Sequence, residues 1–561
     1  MPLQPRVQPR SSLLATVAVR RVSVHRGDAS VLVDVDVTVG PLDRIGVIGP
    51  NGVGKTTLLR VIAGEHPPDQ GTVQVVPPNA TIGYLAQEPE RRDAELLADH
   101  LARRAGIAGA ADELEAAAAG LASGGPGAED RYALALERYL ALGAADFDAR
   151  RGEVLAEVGL DERLLGVPTA DLSGGQRAKA ALASLFLSRF DVLLLDEPTN
   201  DLDFDGLERL EAFLAARHGG LVVVSHDRAF LERVVTSILE IDEASHRATE
   251  YGGGFEAYLE ARATVRRHAD EAYETYVDER DRLRSRERSQ RQWAVQGVGN
   301  EKRRPRDGDK AQRGFRVNRT EKQAAKVRAT ERAIERLDPV DKPFEAWRLE
   351  LDLKVAPRSG DVVAGLSHAV VRRGAWQLGP VDIEISFGER VAILGPNGSG
   401  KSTLLGALLG QVPLDAGHLA LGPSVAVGEL GQQRARYAAD AQPLLEQFLA
   451  TTGLSVPEAR SLLAKFGIGA RHVARAAASL SPGERTRAEL ARFMATGTNC
   501  LVLDEPTNHL DLAAIEQLET ALEAWSGTLL LVTHDRRLLD AVALTRRVSL
   551  ADGRIVRDEL A

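Results

Sequence analysis

The sequence predicts an α/β fold used twice in tandem, with a long helical hairpin between the copies. Three observations predict it. An eight-residue glycine-rich loop, Gly49-Pro50-Asn51-Gly52-Val53-Gly54-Lys55-Thr56, returns 346 positions later as Gly395-Pro396-Asn397-Gly398-Ser399-Gly400-Lys401-Ser402. Each loop follows an apolar run of strand length, and each is followed by further apolar runs separated by helical patterns. Continuous apolar strands alternating with helices imply a parallel sheet covered on both faces. Between the copies lies a charged stretch of helical composition.

Each half follows one order. A β-rich opening (Val31 to Val39; Val381 to Phe387) leads into a buried strand, Arg44 to Ile48 or Arg390 to Leu394, then the loop, then a helix beginning at the Lys. A second apolar strand ends in acids, Asp196-Glu197 or Asp504-Glu505. A third ends in Ser225-His226-Asp227 or Thr533-His534-Asp535. The halves differ between Gln87 and Leu172, where the first copy carries about 37 more residues than the second has between Gln432 and Leu480. The surplus falls in residues 93–158 and reads as extra helices broken at Gly124-Gly125-Pro126-Gly127. An elaborated helical subdomain and an arm that touches a partner both fit it.

The boundaries expected are an N-terminal arm over 1–14, a first domain over 15–255, a hairpin linker over 256–340 and a second domain over 341–561. The linker opens at Tyr251-Gly252-Gly253-Gly254-Phe255 and Tyr258. It breaks around Gly297-Val298-Gly299-Asn300 and Pro305-Arg306-Asp307-Gly308, and resumes from Asn318 to Leu337. Residues 281–333 hold 17 Lys or Arg and 7 Asp or Glu, a net of +10, which leaves −20 on the rest of a chain whose total is −10. A basic hairpin in an acidic protein is an address for a phosphate backbone. The candidate RNA contacts are Lys302, Arg303, Arg304, Arg306, Lys310, Arg313 and Arg316, with Trp293 and Phe315 near the tip able to stack on splayed nucleotides.

Composition narrows the classes further. Hydrophobic content of 44% is ordinary for a globular chain, and 561 residues suit two domains plus a connector. The single cysteine, Cys500, forms no internal disulfide, and no Cys/His cluster suggests zinc; both fit a reducing cytoplasm. No apolar run approaches the roughly 20 residues needed to cross a bilayer, so no membrane is expected.

The loop chemistry needs glycine because successive backbone N–H groups must turn inward around phosphates, with the helix N-terminus facing the anion. Gly49, Asn51, Gly52 and Gly54, with Gly395, Asn397, Gly398 and Gly400, would form the two cradles. Lys55 and Lys401 would reach the β- and γ-phosphates. Thr56 and Ser402 would bind Mg²⁺, and Thr57 and Thr403 follow them in the same helical turn. Asp196 and Asp504 would hold the Mg²⁺ through water. Glu197 and Glu505 would orient and deprotonate the attacking water, and His226 and His534 would contact the γ-phosphate and that glutamate. Gln87 and Gln432 are candidates to sense Mg²⁺ and the water. The cofactors expected are ATP and Mg²⁺.

The element Leu172-Ser173-Gly174-Gly175-Gln176, paired with Leu480-Ser481-Pro482-Gly483-Glu484, lies between the Gln and the Asp-Glu strand end. With it the chain resembles the ATP-binding-cassette superfamily over residues 15–555. The resemblance implies two P-loop cassettes that dimerise head to tail within one monomer. Ser173, Gly175 and Gln176 would complete the site of Lys401, and Ser481, Gly483 and Glu484 that of Lys55. The loops Asn200-Asp201-Leu202-Asp203 and Asn508-His509-Leu510-Asp511 would cross the interface. Two departures stand out. Pro482 replaces the usual first glycine, so the Lys55 site is expected to differ. Arg26 and Arg373 stand where an aromatic usually stacks on adenine.

Tandem cassettes joined by a basic hairpin resemble the F group of the superfamily. That resemblance implies binding at the ribosomal tRNA exit site, with the linker directed at the peptidyl-transferase centre, where rRNA and tRNA are the partners. The Arg-rich chain, Leu480 to Arg485 and Asp307-Gly308-Asp309-Lys310 resemble resistance members of actinomycetes, which protect ribosomes from macrolides, lincosamides or streptogramins. The alternative is a general translation factor without drug specificity. A DNA-repair or structural-maintenance ATPase would carry zinc modules or far longer coiled coils, and a transporter's ATP subunit would lack the basic hairpin.

Overall fold

The computed structural model describes residues 15–27, 29–86, 94–200, 202–302, 325–326, 328–337, 360–374, 376–430, 442–508 and 510–561; of 293–302, 471 and 482 it describes the backbone alone. The chain divides into two compact units, residues 1–256 with 348–561, and residues 257–347. Among the described residues no helix is long and apolar enough to cross a membrane.

The first unit holds both cassettes. The first copy runs β1 (Thr16–Arg26), β2 (Ala29–Val39), β3 (Arg44–Ile48), β4 (Gln70–Val76), β5 (Ile82–Leu85), β6 (Val192–Asp196), β7 (Gly220–Val224), β8 (Ser237–Ile241) and β9 (Ala248–Gly252). The second runs β10 (Val362–Arg373), β11 (Trp376–Ser386), β12 (Arg390–Leu394), β13 (Ala416–Leu421), β14 (Val427–Leu430), β15 (Cys500–Asp504), β16 (Thr528–Val532), β17 (Arg546–Ala551) and β18 (Arg554–Leu560). The large sheets have the same order, β5-β6-β7-β3-β8-β9 and β14-β15-β16-β12-β17-β18.

β6 and β7 are buried at every position, as their unbroken apolar sequences require. The expected parallel sheet is corrected at one edge: β9 and β18 pair antiparallel with β8 and β17. Tyr251 and Gly252 therefore belong to β9 of the first cassette rather than opening the linker. The β-rich openings form separate antiparallel sheets, β2-β1-β4 and β11-β10-β13. Between small and large sheet lies the helix Lys55–Ile62, whose Leu58, Leu59 and Ile62 share one buried cluster with Val17 and Val19 of β1 and Val222 of β7. That packing fixes the loop at the C-terminal ends of β3, β6 and β7, the edge where open α/β sheets bind ligands.

The surplus of the first copy forms two antiparallel helices, Ile107–Ala122 and Ala128–Ala141, tied by Arg138 to Glu113 at 3.0 Å. Gly124 and Gly127 take left-handed φ of 69° and 66° in the turn between them.

In the second unit the helix Phe255–Lys302 continues without a break. The expected interruption at Gly297-Val298-Gly299-Asn300 is absent, because a mid-helix glycine costs only about 1 kcal/mol and keeps its backbone donor and acceptor. The returning segment is helical at 325–326 and 328–335. It pairs with the outgoing helix through buried Thr330, whose hydroxyl lies 3.1 Å from the Gln290 side chain, and through Arg291 to Glu331 at 2.9 Å. Arg303, Arg304, Arg306, Lys310, Arg313, Arg316 and Phe315, and the side chains of Lys302 and Trp293, lie outside the described residues.

Candidate functional site

Both phosphate loops depend on glycine at defined places. Gly49, Gly52 and Gly54 have φ of 150°, 83° and 118°, and Gly395, Gly398 and Gly400 repeat this at 144°, 82° and 103°. A Cβ on Gly52 or Gly398 would meet nothing within 4 Å, whereas one on Gly49 would lie 2.7 Å from the Ile241 carbonyl. The inner cradle is thus open and its base is closed. Lys55 Nζ donates to the carbonyls of Gly49 and Pro50 at 2.7 and 3.1 Å, and Lys401 Nζ to those of Gly395 and Pro396 at 2.8 and 3.2 Å. Burial lowers the pKa of each lysine, opposed at Lys55 by Glu197, Asp511 and Asp196 and at Lys401 by Glu505, Asp203 and Asp504. Thr57 is buried in the first helical turn and Thr403 half-buried.

At the strand ends, the Thr56 hydroxyl bonds Asp196 and the Ser402 hydroxyl donates to Asp504 Oδ2 at 2.8 Å. Burial raises the Asp196 pKa. Glu197 and Glu505 take left-handed φ of 51° and 45°, a strained region for a non-glycine residue. Each is held there by its N–H, which donates to Val224 or Val532 in the adjacent strand at 2.9 Å. The turn aims each carboxylate back at the next strand's histidine: His226 Nε2 lies 3.3 Å from Glu197 Oε1, and His534 Nε2 3.4 Å from Glu505 Oε1. Burial pushes Glu197 up to about 7, with Lys55 opposing, and pushes His226 and His534 down to about 3 and about 4. The His226 ring therefore stays neutral at ordinary pH, as does that of His534.

The two cassettes complete each other's loops. Asn397 N–H donates to Asp203 Oδ2 at 2.9 Å, and Asn51 N–H to Asp511 Oδ2 at 3.3 Å. Gly175 lies against Asn397, with an added Cβ 3.7 Å from that residue, while the matching position on Gly483 meets Ala514 of its own cassette at 3.2 Å. Both signatures are capping boxes: Ser173 with Gln176, and Ser481 with Glu484. Pro482 takes the first helical turn, where a missing N–H leaves nothing unsatisfied. The expected disturbance at Pro482 therefore does not reach the cap. What differs is charge, because Glu484 sits 3.3 Å from His472 and 3.6 Å from Arg475.

Several participants escaped the sequence reading. Arg228 pairs with Glu519, and Arg536 with Glu211 at 2.7 Å, each across the two cassettes. Both pairs recur at the 308-residue offset that also relates Glu197 to Glu505, so the repeat itself carried that signal. Tyr84 donates to Asp196 at 3.3 Å. Phe204 packs edge-on to His534 across the interface, with centroids 5.2 Å apart. Trp376 lies so close to Gly400 that an added Cβ would meet its ring at 2.7 Å. Gln87 and Gln432 lie outside the described residues.

The residues fit a polyphosphate and a divalent cation. Both ring nitrogens of His226 and of His534, and Glu197 Oε1, are buried with no hydrogen bond among the described residues, because the contacts at 3.3 and 3.4 Å are poorly aligned. Such groups call for a ligand. Among the described residues no cluster of three His, Cys, Asp or Glu could hold a metal. A hydroxyl and one carboxylate per site suit a cation bound jointly with substrate phosphate and water.

Paired phosphate loops, acid-ended strands, two capped signatures and Asp–Asn bonds that cross between the copies define a tandem cassette ATPase. The family model described as ABC transporter matches residues 32–200 and 378–508. The chain is 35% identical to the tylosin resistance ATP-binding protein TlrC of Streptomyces fradiae, over 94% of this chain and 96% of that one. It is 31% identical to the energy-dependent translational throttle protein EttA of Mycobacterium tuberculosis, over 93% and 89%, and 28% identical to the ABC transporter F family member 5 of Arabidopsis thaliana, over 97% and 76%. The solved structure of RNase-L Inhibitor shares the fold, with a TM-score of 0.57 at 18% identity, over 96% of this chain and 91% of that one. The chain belongs to the ATP-binding-cassette family and is an ATPase. Within that family it is a member of the F group.

Proposed function

We propose that this ATPase binds the ribosome near the tRNA exit site and uses its interdomain hairpin to protect the ribosome from peptidyl-transferase or exit-tunnel antibiotics of the macrolide, lincosamide or streptogramin type. The observation that carries the reading is the end-to-end match to a protein named for tylosin resistance. The +10 of residues 281–333 supports it as an RNA-facing element. ATP bound between each loop and the opposite signature closes the cassettes, and closure sets the hairpin for the ribosome. Mg²⁺, held by Thr56 with Asp196 and by Ser402 with Asp504, supplies charge neutralisation on the phosphates when bound. Glu197 and Glu505 take a proton from the attacking water, His226 and His534 orient the γ-phosphate side, and hydrolysis releases the protein. Gln87 and Gln432 complete the sensing of that water. The working boundaries are 15–255 and 341–561 for the cassettes and 256–340 for the linker.

The test is expression in a drug-sensitive host against a panel of those antibiotics, tylosin included. Protection from one chemical class is the expected result. No protection, with altered polysomes on deletion, favours the second reading, a general translation factor, which the match to the translational throttle protein supports. Neutralising Lys302, Arg303, Arg304 and Arg306 together should weaken ribosome binding by about tenfold or more at physiological salt and flatten its salt dependence. ATPase activity without ribosomes should survive. Equal loss of both would mean the hairpin is no separate RNA-binding element.

A further inference from the structure

The two catalytic histidines face different neighbours across the cassette interface. The helix Phe204–Ala216 begins directly after Asp203, which caps it through Gly206 N–H at 2.9 Å. The other Asp203 oxygen accepts from Asn397 of the opposite phosphate loop at 2.9 Å. One residue thus ties the helix start to the Lys401 site. The next residue, Phe204, reaches His534, with ring centroids 5.2 Å apart and planes at 74°. Arg536 lies over the same ring at 6.0 Å and is itself anchored to Glu211 at 2.7 Å. Phe204 is therefore clamped between its own backbone and a cation of the other cassette, in edge-to-face contact with a buried histidine whose ring has no hydrogen bond among the described residues.

At the 308-residue offset, Asp511 repeats Asp203 but Leu512 replaces Phe204. Asp511 still caps its helix, through Ala514 N–H at 3.0 Å, and still reaches the opposite loop at Asn51, at 3.3 Å. The backbone device is the same on both sides; the ring is on one side only. An aromatic pair adds directionality that an aliphatic contact lacks, because the ring's charge distribution favours edge-to-face geometry.

We propose that Phe204 is a positioning residue acting in trans: it orients His534 against Glu505 when the cassettes close, so the Lys401 site is aligned by closure more sharply than the Lys55 site. This rests on the reading of Glu505 and His534 as the hydrolytic pair of that site.

Steady-state ATP hydrolysis of the full chain tests it with Phe204→Leu, Phe204→Tyr and Leu512→Phe. Phe204→Leu keeps an apolar side chain, the one found at the matching position 512, and removes the ring; kcat is expected to fall about three- to tenfold with KM for ATP nearly unmoved. Phe204→Tyr keeps the ring and should restore kcat to within about twofold of the parent. Placed on Glu505→Gln, whose Lys401 site is already silenced, Phe204→Leu should cost less than about twofold. Leu512→Phe puts a ring at the position that matches Phe204 and is expected to raise kcat. The proposal is overturned if Phe204→Tyr is as slow as Phe204→Leu, if the loss lies in KM, or if Phe204→Leu costs the same on Glu197→Gln and Glu505→Gln. If Glu505→Gln itself leaves hydrolysis at the parent rate while Phe204→Leu slows it, the reading of Glu505 as the base is what has failed.

Discussion

The Lys55 and Lys401 sites share a backbone and differ in what surrounds it. Loop conformations, the left-handed glutamates and the crossing Asp–Asn bonds recur in both, with φ of 118° at Gly54 against 103° at Gly400 and bonds of 2.9 and 3.3 Å. The side chains behind them do not. In the first cassette Asp196 accepts from Tyr84 with Arg60 alongside; in the second those positions are Glu429 and Gly406. Glu197 is deeper than Glu505, at 10% against 26% side-chain exposure. His534 meets the ring of Phe204, and the position that matches Phe204 in the second cassette is Leu512. The second signature carries Glu484, ion-paired to Arg475 and 3.3 Å from His472, where the first carries neutral Gln176. The comparison teaches where the duplication is under constraint. The loop backbone repeats even where its side chains change, as at Val53 and Ser399, while the residues packed behind the two sites have diverged.

The largest effect tests what the sites hold in common. Glu197→Gln with Glu505→Gln should lower hydrolysis by about 10²–10⁴-fold while leaving ATP bound in a closed clamp. If the double variant turns over at the parent rate, the carboxylates are not the bases and the comparison loses its chemical meaning. The next effect tests closure. Arg228–Glu519 and Arg536–Glu211 are the two halves of one pseudo-symmetric latch, with side-chain exposures of 9% and 15%, and of 19% and 13%. Removing a partner from a fully buried pair costs about 3–5 kcal/mol, and the residual exposure here brings the expectation to about 2–3 kcal/mol. Arg536→Ala should therefore raise the ATP concentration for half-maximal closure by about 30-fold or more, read by energy transfer between labels on the two cassettes. An unshifted curve would show that the latch follows closure and does not drive it.

The pH profile separates the sites by burial. Burial raises Glu197 to about 7, so its basic form is lost as pH falls through that value, well above where an ordinary glutamate would protonate. On Glu505→Gln, which leaves Glu197 as the base, kcat should fall about tenfold for each pH unit below that value. The same shift acts on stability with a defined sign. The folded chain holds a proton on Glu197 that the unfolded chain has released, so stability declines as pH rises from about 4.5 to about 7. The lowered pKa of His226 acts the other way: the unfolded chain takes up its proton first, so stability is lost as pH falls from about 6.5 toward about 3. A rate flat down to about pH 6 would place Glu197 in contact with more solvent than its burial implies.

What the sequence made legible follows from what is local. The loops, acid-ended strands and capping boxes are runs of fewer than ten residues whose chemistry needs those types at those spacings, so they could be read without knowing the fold. The Ser-x-x-Gln and Ser-x-x-Glu boxes are the clearest case, since the cap and its partner lie three residues apart. Tyr84 and Asp196 lie 112 positions apart, and Arg228 and Glu519 lie 291 apart; no local period joins them. β9 and β18 were missed for a different reason. They are short and largely exposed, so they lack the apolar run that marks the central strands. The helix through Gly297–Asn300 shows the converse error, a breaker composition outvoted by its flanks.

The smallest effect is the sharpest probe of the asymmetry, because it changes one oxygen. Tyr84→Phe removes the donor to Asp196 Oδ2 and leaves the ring in place. Tyr84 is itself pushed up to about 12 by burial and by the neighbouring Asp196, so at working pH it keeps the proton that it donates to that carboxylate. The bond favours the ionised carboxylate, and its loss should raise the already elevated Asp196 pKa and weaken cation binding at that site. One such bond is worth about 1 kcal/mol, or about fivefold in the Mg²⁺ concentration for half-maximal hydrolysis. The effect should appear on Glu505→Gln, where the Lys55 site does the work, and vanish on Glu197→Gln, because Glu429 offers Asp504 no phenol to lose. An equal shift on both would mean that Tyr84 acts through the fold of the first cassette rather than through its Mg²⁺ ligand.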